Sequence, residues 1–327
     1  MTAAQVPLLW DQGIHLPTYG LWLDPTQVRP RAVISHAHSD HVANHAFAYC
    51  TAETQRLVTH RRTMTGRLQA LPYRERVDVG GAWLSLWPAG HVLGSAQTLI
   101  ETNFGRLLYT GDLKTRTGLT AQPAEPVPAD VLVLESTFGR PRYRFPDSAE
   151  VVDAVTRWCR RTLADGATPV LFGYALGKGQ EILAALWTEG FAIALHPALF
   201  GVTEVYRECG QVFPPYVRMG DHTSPDSVLI MPPTSRTADL PSSIGAVRTA
   251  MLTGWAMDPS CRQRRGVDAV FPLSDHADFD ELCCYAEHVG ATMTYTVLGF
   301  DDELAIHLRR RGVRAAPLRQ PQQLSLL

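Results

Sequence analysis

Three histidines and an aspartate fall within six residues, His36-Ala37-His38-Ser39-Asp40-His41. Imidazole and carboxylate each cost free energy to bury without a partner. Both are good ligands for a divalent cation at about 2.0–2.2 Å. A cluster this dense therefore points to metal binding rather than to packing. In extended backbone, residues i and i+2 share a face, so His36, His38 and Asp40 project together and His41 follows where the chain turns. One segment can serve two ions, with His36 and His38 on one side and Asp40 and His41 on the other. The chemistry on offer is hydrolysis, since a bound metal lowers the pKa of its water toward about 7 and supplies hydroxide at neutral pH.

Such ligands need a rigid support, and the flanking patterns supply one. RAVIS (31–35) is a strand that stops at His36, and AWLSLWPAG (82–90) is one that stops at His91. GRLLYTGD (105–112) ends at Asp112, and the apolar run in DVLVLEST (130–137) ends at Glu135. Four strands thus deliver ligand-type residues at their C-terminal ends, which predicts a site carried by loops at one edge of stacked sheets. Residues 148–164 read as a helix with Ser148 as N-cap and Val151, Val152, Val155, Trp158, Cys159 and Leu163 on one face. Residues 169–187 read as strand, Gly-rich turn and helix. Another strand precedes SDHAD (274–278), followed by a helix at 279–289, the strand TMTYTVLG (292–299) and a helix at 301–312. The two ends of the chain look like one unit interrupted by an insertion. The expected boundaries are 1–140, 141–262 and 263–327.

Composition sets limits. The net charge of −2 excludes a histone-like or basic-arm protein. Any nucleic-acid surface must use local patches such as Arg140/Arg142/Arg144, Arg262/Arg264/Arg265 or Arg309 to Arg311, each of which also reads as an ordinary solvated face. No apolar run approaches the roughly 18 residues of a membrane span. The N-terminus lacks a basic segment followed by an apolar stretch. A soluble cytoplasmic protein is expected. The six cysteines form no C-x-x-C pair, so reduced, mostly buried thiols are expected rather than a zinc ribbon or a disulfide framework.

The motifs resemble those of the metallo-β-lactamase superfamily. The likeness is carried by the H-x-H-x-D-H segment, Asp24 in LWLDP, His91 in PAGHVLGSAQ and Asp112 in YTGDLK. It implies an α/β fold, the αββα sandwich of that superfamily, with Asp24 supporting the metal loop. It also implies Zn2+ or Mn2+ held by His36, His38, Asp40, His41, His91 and Asp112, the last bridging two ions. About 160 residues separate Asp112 from His276, too many for a loop. With ESTFG (135–139), GYALGKGQE (173–181), GWAM (254–257) and LSDHAD, this resembles the β-CASP branch with its inserted cap domain. The likeness is nearest to the bacterial ligase-associated exonuclease and mRNA 3'-end processing factor-like group. The resemblance implies a nuclease with Asp40, His276 and Glu135 as catalytic residues, His276 being the general acid. DNA is the favoured substrate, RNA an alternative, and association with DNA ligase or helicase is implied in the same way. Ser136, Thr137, Lys178 and Ser274 are the candidate substrate contacts.

Two features depart from simple expectation. Gly173 to Gly179 superficially has the look of a phosphate-binding loop but fails the Walker A spacing, leaving Lys178 as a backbone-phosphate contact or a plain solvent-facing lysine. Ribonuclease-type relatives carry a further metal-binding histidine where Leu298 stands here. Leucine cannot ligate, so the second ion is expected to bind more weakly. Asp301 and Asp302 are the possible substitutes. Two other readings remain open: a small-molecule hydrolase of the same fold, and a nucleic-acid-binding relative with a weakened site.

Overall fold

The computed structural model describes residues 6–220, 222–235 and 240–319. In chain order it begins with β1 (Leu9–Trp10), β2 (Ile14–Leu16), β3 (Leu21–Leu23), β4 (Arg31–Val33), β5 (Phe47–Cys50), α1 (Ala52–Arg61) and β6 (Arg67–Ala70). There follow β7 (Arg76–Asp78), β8 (Trp83–Pro88), β9 (Ala96–Thr102), β10 (Gly105–Tyr109) and β11 (Val131–Glu135). The middle of the chain forms α2 (Ser148–Ala164), β12 (Thr168–Phe172), α3 (Lys178–Ala185), β13 (Ile193–Leu195), α4 (Pro197–Glu208), β14 (Val217–Arg218), β15 (Val228–Met231), β16 (Val247–Leu252), α5 (Cys261–Arg265) and β17 (Ala269–Phe271). The last part is α6 (Phe279–Val289), β18 (Met293–Val297), α7 (Asp301–Arg310) and β19 (Ala315–Pro317).

Two compact units result. One comprises Met1–Thr117, Ala121–Pro141 and His276–Leu327, and the other Gly118–Thr120 and Arg142–Asp275. In the first unit, one sheet has the order β1-β2-β3-β4-β5-β6 and the other β19-β18-β11-β10-β9-β8-β7. Period-two alternation decides what each strand buries. Leu107 and Tyr109 of β10, with Val131 and Val133 of β11, join Leu16, Leu23, Val33 and Tyr49 in a core shared by the two sheets. Leu108, Leu132 and Leu134 face the other way, onto Phe279, Leu282 and Ala286 of α6 and Leu304 and Leu308 of α7. Both faces of β11 are therefore buried, which is why its sequence is a continuous apolar run. A one-residue slip would exchange the two sets, and it would also swing Glu135 off the inter-sheet face.

The second unit is built on a parallel sheet of order β14-β13-β15-β12-β16-β17. Leu171, Ile230, Ala250 and Leu252 cover one face with α2, α3 and α4, while Val170, Leu229, Met231 and Met251 cover the other. The expected return to the first unit at residue 263 falls inside the second unit, because β17 pairs parallel with β16 and so extends that sheet. The N-cap of α2 is Asp147, whose side chain accepts from the Ala149 amide, and Ser148 is the first helical residue instead. All six cysteines are free, with Cys50, Cys159, Cys261 and Cys283 buried. No helix among the described residues is long and apolar enough to cross a membrane.

Candidate metal centre

β4 ends at Val33, and the histidine segment follows in the loop after it. His36 Nε2, His38 Nδ1, His91 Nε2 and an Asp112 oxygen lie within 4.8 Å of one another. His36 Nε2 is 3.0 Å from His38 Nδ1, and His91 Nε2 is 3.1 Å from the same atom. Asp112 Oδ2 is 3.4 Å from His36 Nε2 and 3.5 Å from His91 Nε2. A tetrahedron with metal–ligand bonds of about 2.0–2.1 Å has edges of about 3.3–3.4 Å, so these four donors already stand at ligand spacing. Burial, and then the facing rings of His41, His38, His91 and His276, hold His36 well below the usual histidine pKa. A neutral ring keeps the lone pair that a metal needs.

A second set shares Asp112. Its other oxygen, Oδ1, lies 3.6 Å from His41 Nε2, and Asp40 Oδ2 lies 3.8 Å from the same nitrogen. Burial would lower the His41 pKa, but the carboxylates of Asp112, Asp24 and Asp40 outweigh it and push it up to about 10. Burial raises Asp112 to about 6 although His41 and His276 pull the other way. Three carboxylates around one imidazole form a nest that a cation would complete. The Asp40 side chain is 78% exposed, so this set is open to solvent where the first is closed.

The second ring nitrogens of His36 and His41 are tied down, and this sets the direction of the first. His41 Nδ1 is 2.8 Å from Asp24 Oδ2, and His36 Nδ1 is 2.9 Å from Ser35 Oγ. Asp24 is the hub: it accepts from the Ser35 amide at 2.7 Å, the Ser35 hydroxyl at 2.5 Å and the Tyr109 hydroxyl at 2.9 Å. Asp24 holds φ at +44°, uncommon for a residue with a side chain, and this turns its carboxylate inward. Ser95 Oγ accepts from the amides of His91 and Val92 and so shapes the His91 turn. Ser35, Tyr109 and Ser95 were missed in the sequence. Tyr109 alone carried a signal, since it shares the inward face of β10 with Leu107.

His276 approaches from the other end of the chain. Its Nδ1 lies 3.0 and 3.2 Å from the two oxygens of Glu135, and its Nε2 lies 3.9 Å from Asp112 Oδ2. Burial works against the Glu135 charge, but His276, the Leu113 amide and the Thr137 side chain outweigh it and hold the carboxyl below its ordinary range. The Leu113 amide donates to Glu135 at 2.5 Å.

Other expected contacts are engaged elsewhere. The buried Ser136 hydroxyl donates to the Val297 carbonyl at 2.7 Å, tying β11 to β18. The Thr137 amide donates to Glu135. Ser274 is half-buried in the loop before His276. Lys178 is neither a phosphate contact nor solvent-facing: it is 1% exposed, and its ammonium meets Asp275 at 3.1 Å and the Leu273 carbonyl at 2.9 Å. Leu298 follows β18 with φ at +63°, and neither Asp301 nor Asp302 joins a donor group among the described residues. His45 joins no donor group among the described residues; its Nδ1 accepts from the Arg29 amide.

No family model matches the chain. A protein of Opitutus terrae named "Probable DNA ligase" is 42% identical over 323 residues, 97% of this chain and 32% of that protein. "Endoribonuclease YSH1" of Eremothecium gossypii is 32% identical over 161 residues, 47% of this chain and 20% of that protein. An "RNase J-like protein" of Methanocaldococcus jannaschii is 30% identical over 175 residues, 46% of this chain and 42% of that protein. The chain spans less than half the length of each of these relatives. Among solved structures, a protein of unknown function from Enterococcus faecalis V583 superimposes with a TM-score of 0.60 at 14% identity. That match covers 89% of this chain and 79% of the other, a likeness of fold alone. The shared aspartate between two histidine sets, taken with these relatives, shows that the chain belongs to the metallo-β-lactamase superfamily, in its β-CASP branch.

Proposed function

We propose that the chain is a metal-dependent nuclease that hydrolyses phosphodiester bonds, with DNA the favoured polymer and RNA the alternative. The carrying observation is the juxtaposition of the four-donor cage with the His276–Glu135 pair, joined through Asp112. We read the first unit as the αββα sandwich of the superfamily and the second as its inserted β-CASP cap.

The residues that would hold zinc or manganese are His36, His38, His91 and Asp112 for one ion, and Asp40, His41 and Asp112 for a more weakly held second. When bound, such ions supply Lewis acidity and an activated water near neutral pH. The protein's own part is positional and protonic. Glu135, fixed by the amides of Leu113 and Thr137, fixes the His276 ring and favours its protonated form. His276 Nε2 is then the donor to the leaving oxygen, a role commonly worth about 10²–10⁴-fold. Asp40, on the exposed side, meets the incoming phosphodiester. The Opitutus relative's name supports a functional association with a DNA ligase, and Leu298, standing where ribonuclease-type relatives carry a metal-binding histidine, supports DNA over RNA.

The test incubates the protein with end-labelled single- and double-stranded DNA and RNA in the presence of manganese, zinc or chelator. Metal-dependent, chelator-sensitive shortening of DNA is expected, and Asp40→Ala should abolish it while leaving the fold intact. Wild-type turnover by Asp40→Ala would remove the metal mechanism. Intact binding without cleavage under any condition would instead indicate a binding protein.

A further inference from the structure

We infer that the GYALGKGQE segment is a positioning device: the first turn of α3 holds both lengths of chain that lead to and from the candidate active site. This rests on the nuclease reading above for its kinetic consequence, though not for its structural one.

The glycines do not shape a phosphate cradle. Gly177 sits at φ +87°, which lets the chain turn sharply into α3. A Cβ on Gly173 would meet Ile182 Cδ1 at 2.6 Å and Lys178 Cγ at 3.1 Å, so its absence makes room for the lysine stem. Gln180 reaches back to accept from the Gly177 amide at 2.8 Å and is itself fully buried. The loop is packed against its own helix.

Two charged side chains of that turn point inward instead. Lys178 meets Asp275 and the Leu273 carbonyl. Asp275 is peptide-bonded to His276, so this grip fixes where the His276 backbone begins. Glu181, 7% exposed, accepts from the Leu119 amide at 3.0 Å, the Thr120 amide at 2.9 Å and the Thr120 hydroxyl at 2.7 Å. Leu119 and Thr120 close the segment that leaves Asp112. One helical turn thus anchors the residues after Asp112 with an acid and the residues before His276 with a base. Just beyond the second anchor, the Ala277 amide donates to the Leu113 carbonyl at 2.5 Å, bringing the two segments together beside the site. A buried ammonium is costly unless paired and hydrogen-bonded. Both conditions hold here, which accounts for a lysine in a position where an apolar residue would pack more cheaply.

Lys178, Glu181 and Asp275 are therefore positioning residues for Asp112 and His276. The test measures kcat, KM and amide hydrogen exchange for Lys178→Met, Lys178→Arg, Glu181→Gln and the double variant Lys178→Met/Asp275→Leu. The double variant removes both charges and should fold even where Lys178→Met alone does not. Expected are a fall in kcat of about 10- to 100-fold with KM nearly unchanged, faster exchange at Ala277 and partial rescue by Lys178→Arg. Glu181→Gln should speed exchange at Leu119 and Thr120. A folded double variant with wild-type kcat and wild-type exchange at Ala277 would overturn the inference. Absence of turnover in the wild type would sink the nuclease reading instead, and the exchange data would still decide this one.

Discussion

His276 and Glu135 stand 141 positions apart in the chain and meet ring to carboxylate, Nδ1 lying 3.0 Å from Oε1. The carboxylate is wholly buried and the ring is 17% exposed, so the pair keeps the carboxylate inside and turns only the imidazole toward solvent. Glu135→Gln should lower kcat about 10²-fold or more, and His276→Ala about 10²–10⁴-fold, with smaller changes in KM. Steady-state kinetics on a labelled oligonucleotide checks this. Equal kcat in Glu135→Gln and wild type would break the pairing.

Asp24 touches no substrate in the proposed mechanism yet collects His41, both donors of Ser35 and the Tyr109 hydroxyl. Asp24→Asn should weaken metal binding about 10- to 100-fold, the usual cost of losing an orienting partner. Competition with a chromophoric chelator reads this directly.

The second ion should be the labile one. Elemental analysis after dialysis is expected to find one firmly held ion per chain in the wild type and a higher content in Leu298→His. Two tightly held ions in the wild type would contradict the idea.

Acid should weaken the second unit through Asp258. The Ser260 hydroxyl and amide and the Arg264 guanidinium lower its pKa from 3.8 to about 2. A depressed folded pKa means the stabilisation is present above the unfolded value and is lost as pH falls from about 4 through about 2. Melting curves between pH 2 and pH 5 should therefore be flatter for Asp258→Asn than for the wild type.

Thiol labelling should be selective. Burial pushes Cys50 and Cys159 up to about 12 and Cys283 up to about 11, so few thiolates form near pH 8. Cys284 is exposed. A maleimide should modify Cys284 in the native protein and reach those three only after denaturation, as peptide mass mapping will show.

Much of the framework was legible because it follows local rules. The apolar runs ending at Val33, Tyr109 and Glu135 gave strands, and their ends gave His36, Asp112 and Glu135. The helix expected at 279–289 is Phe279–Val289. What could not be read depends on tertiary partners. Lys178 looks like any lysine after a glycine until Asp275 is brought beside it. Tyr109 looks like core until its hydroxyl finds Asp24, 85 positions away. The extension of the second unit to Asp275 turned on β17 choosing β16, a pairing that the short run AVF does not specify.

The parallel pairing of β11 with β18, Glu135 against Val297, has a consequence for biosynthesis. A ribosome delivers β11 long before its neighbour, and the helices α6 and α7 that cover its outer face arrive as late. During that interval Val131 to Leu134 form an apolar, uncharged strand with one edge and one face bare, the arrangement that invites pairing with another chain. His36, His38, His91 and Asp112 precede β11 in the chain, so a nascent chain holds all four candidate donors while His276 has yet to be translated. Under the proposed mechanism, a chain stalled before His276 would carry the four candidate donors without the general acid, and its bare apolar strand would be prone to aggregate.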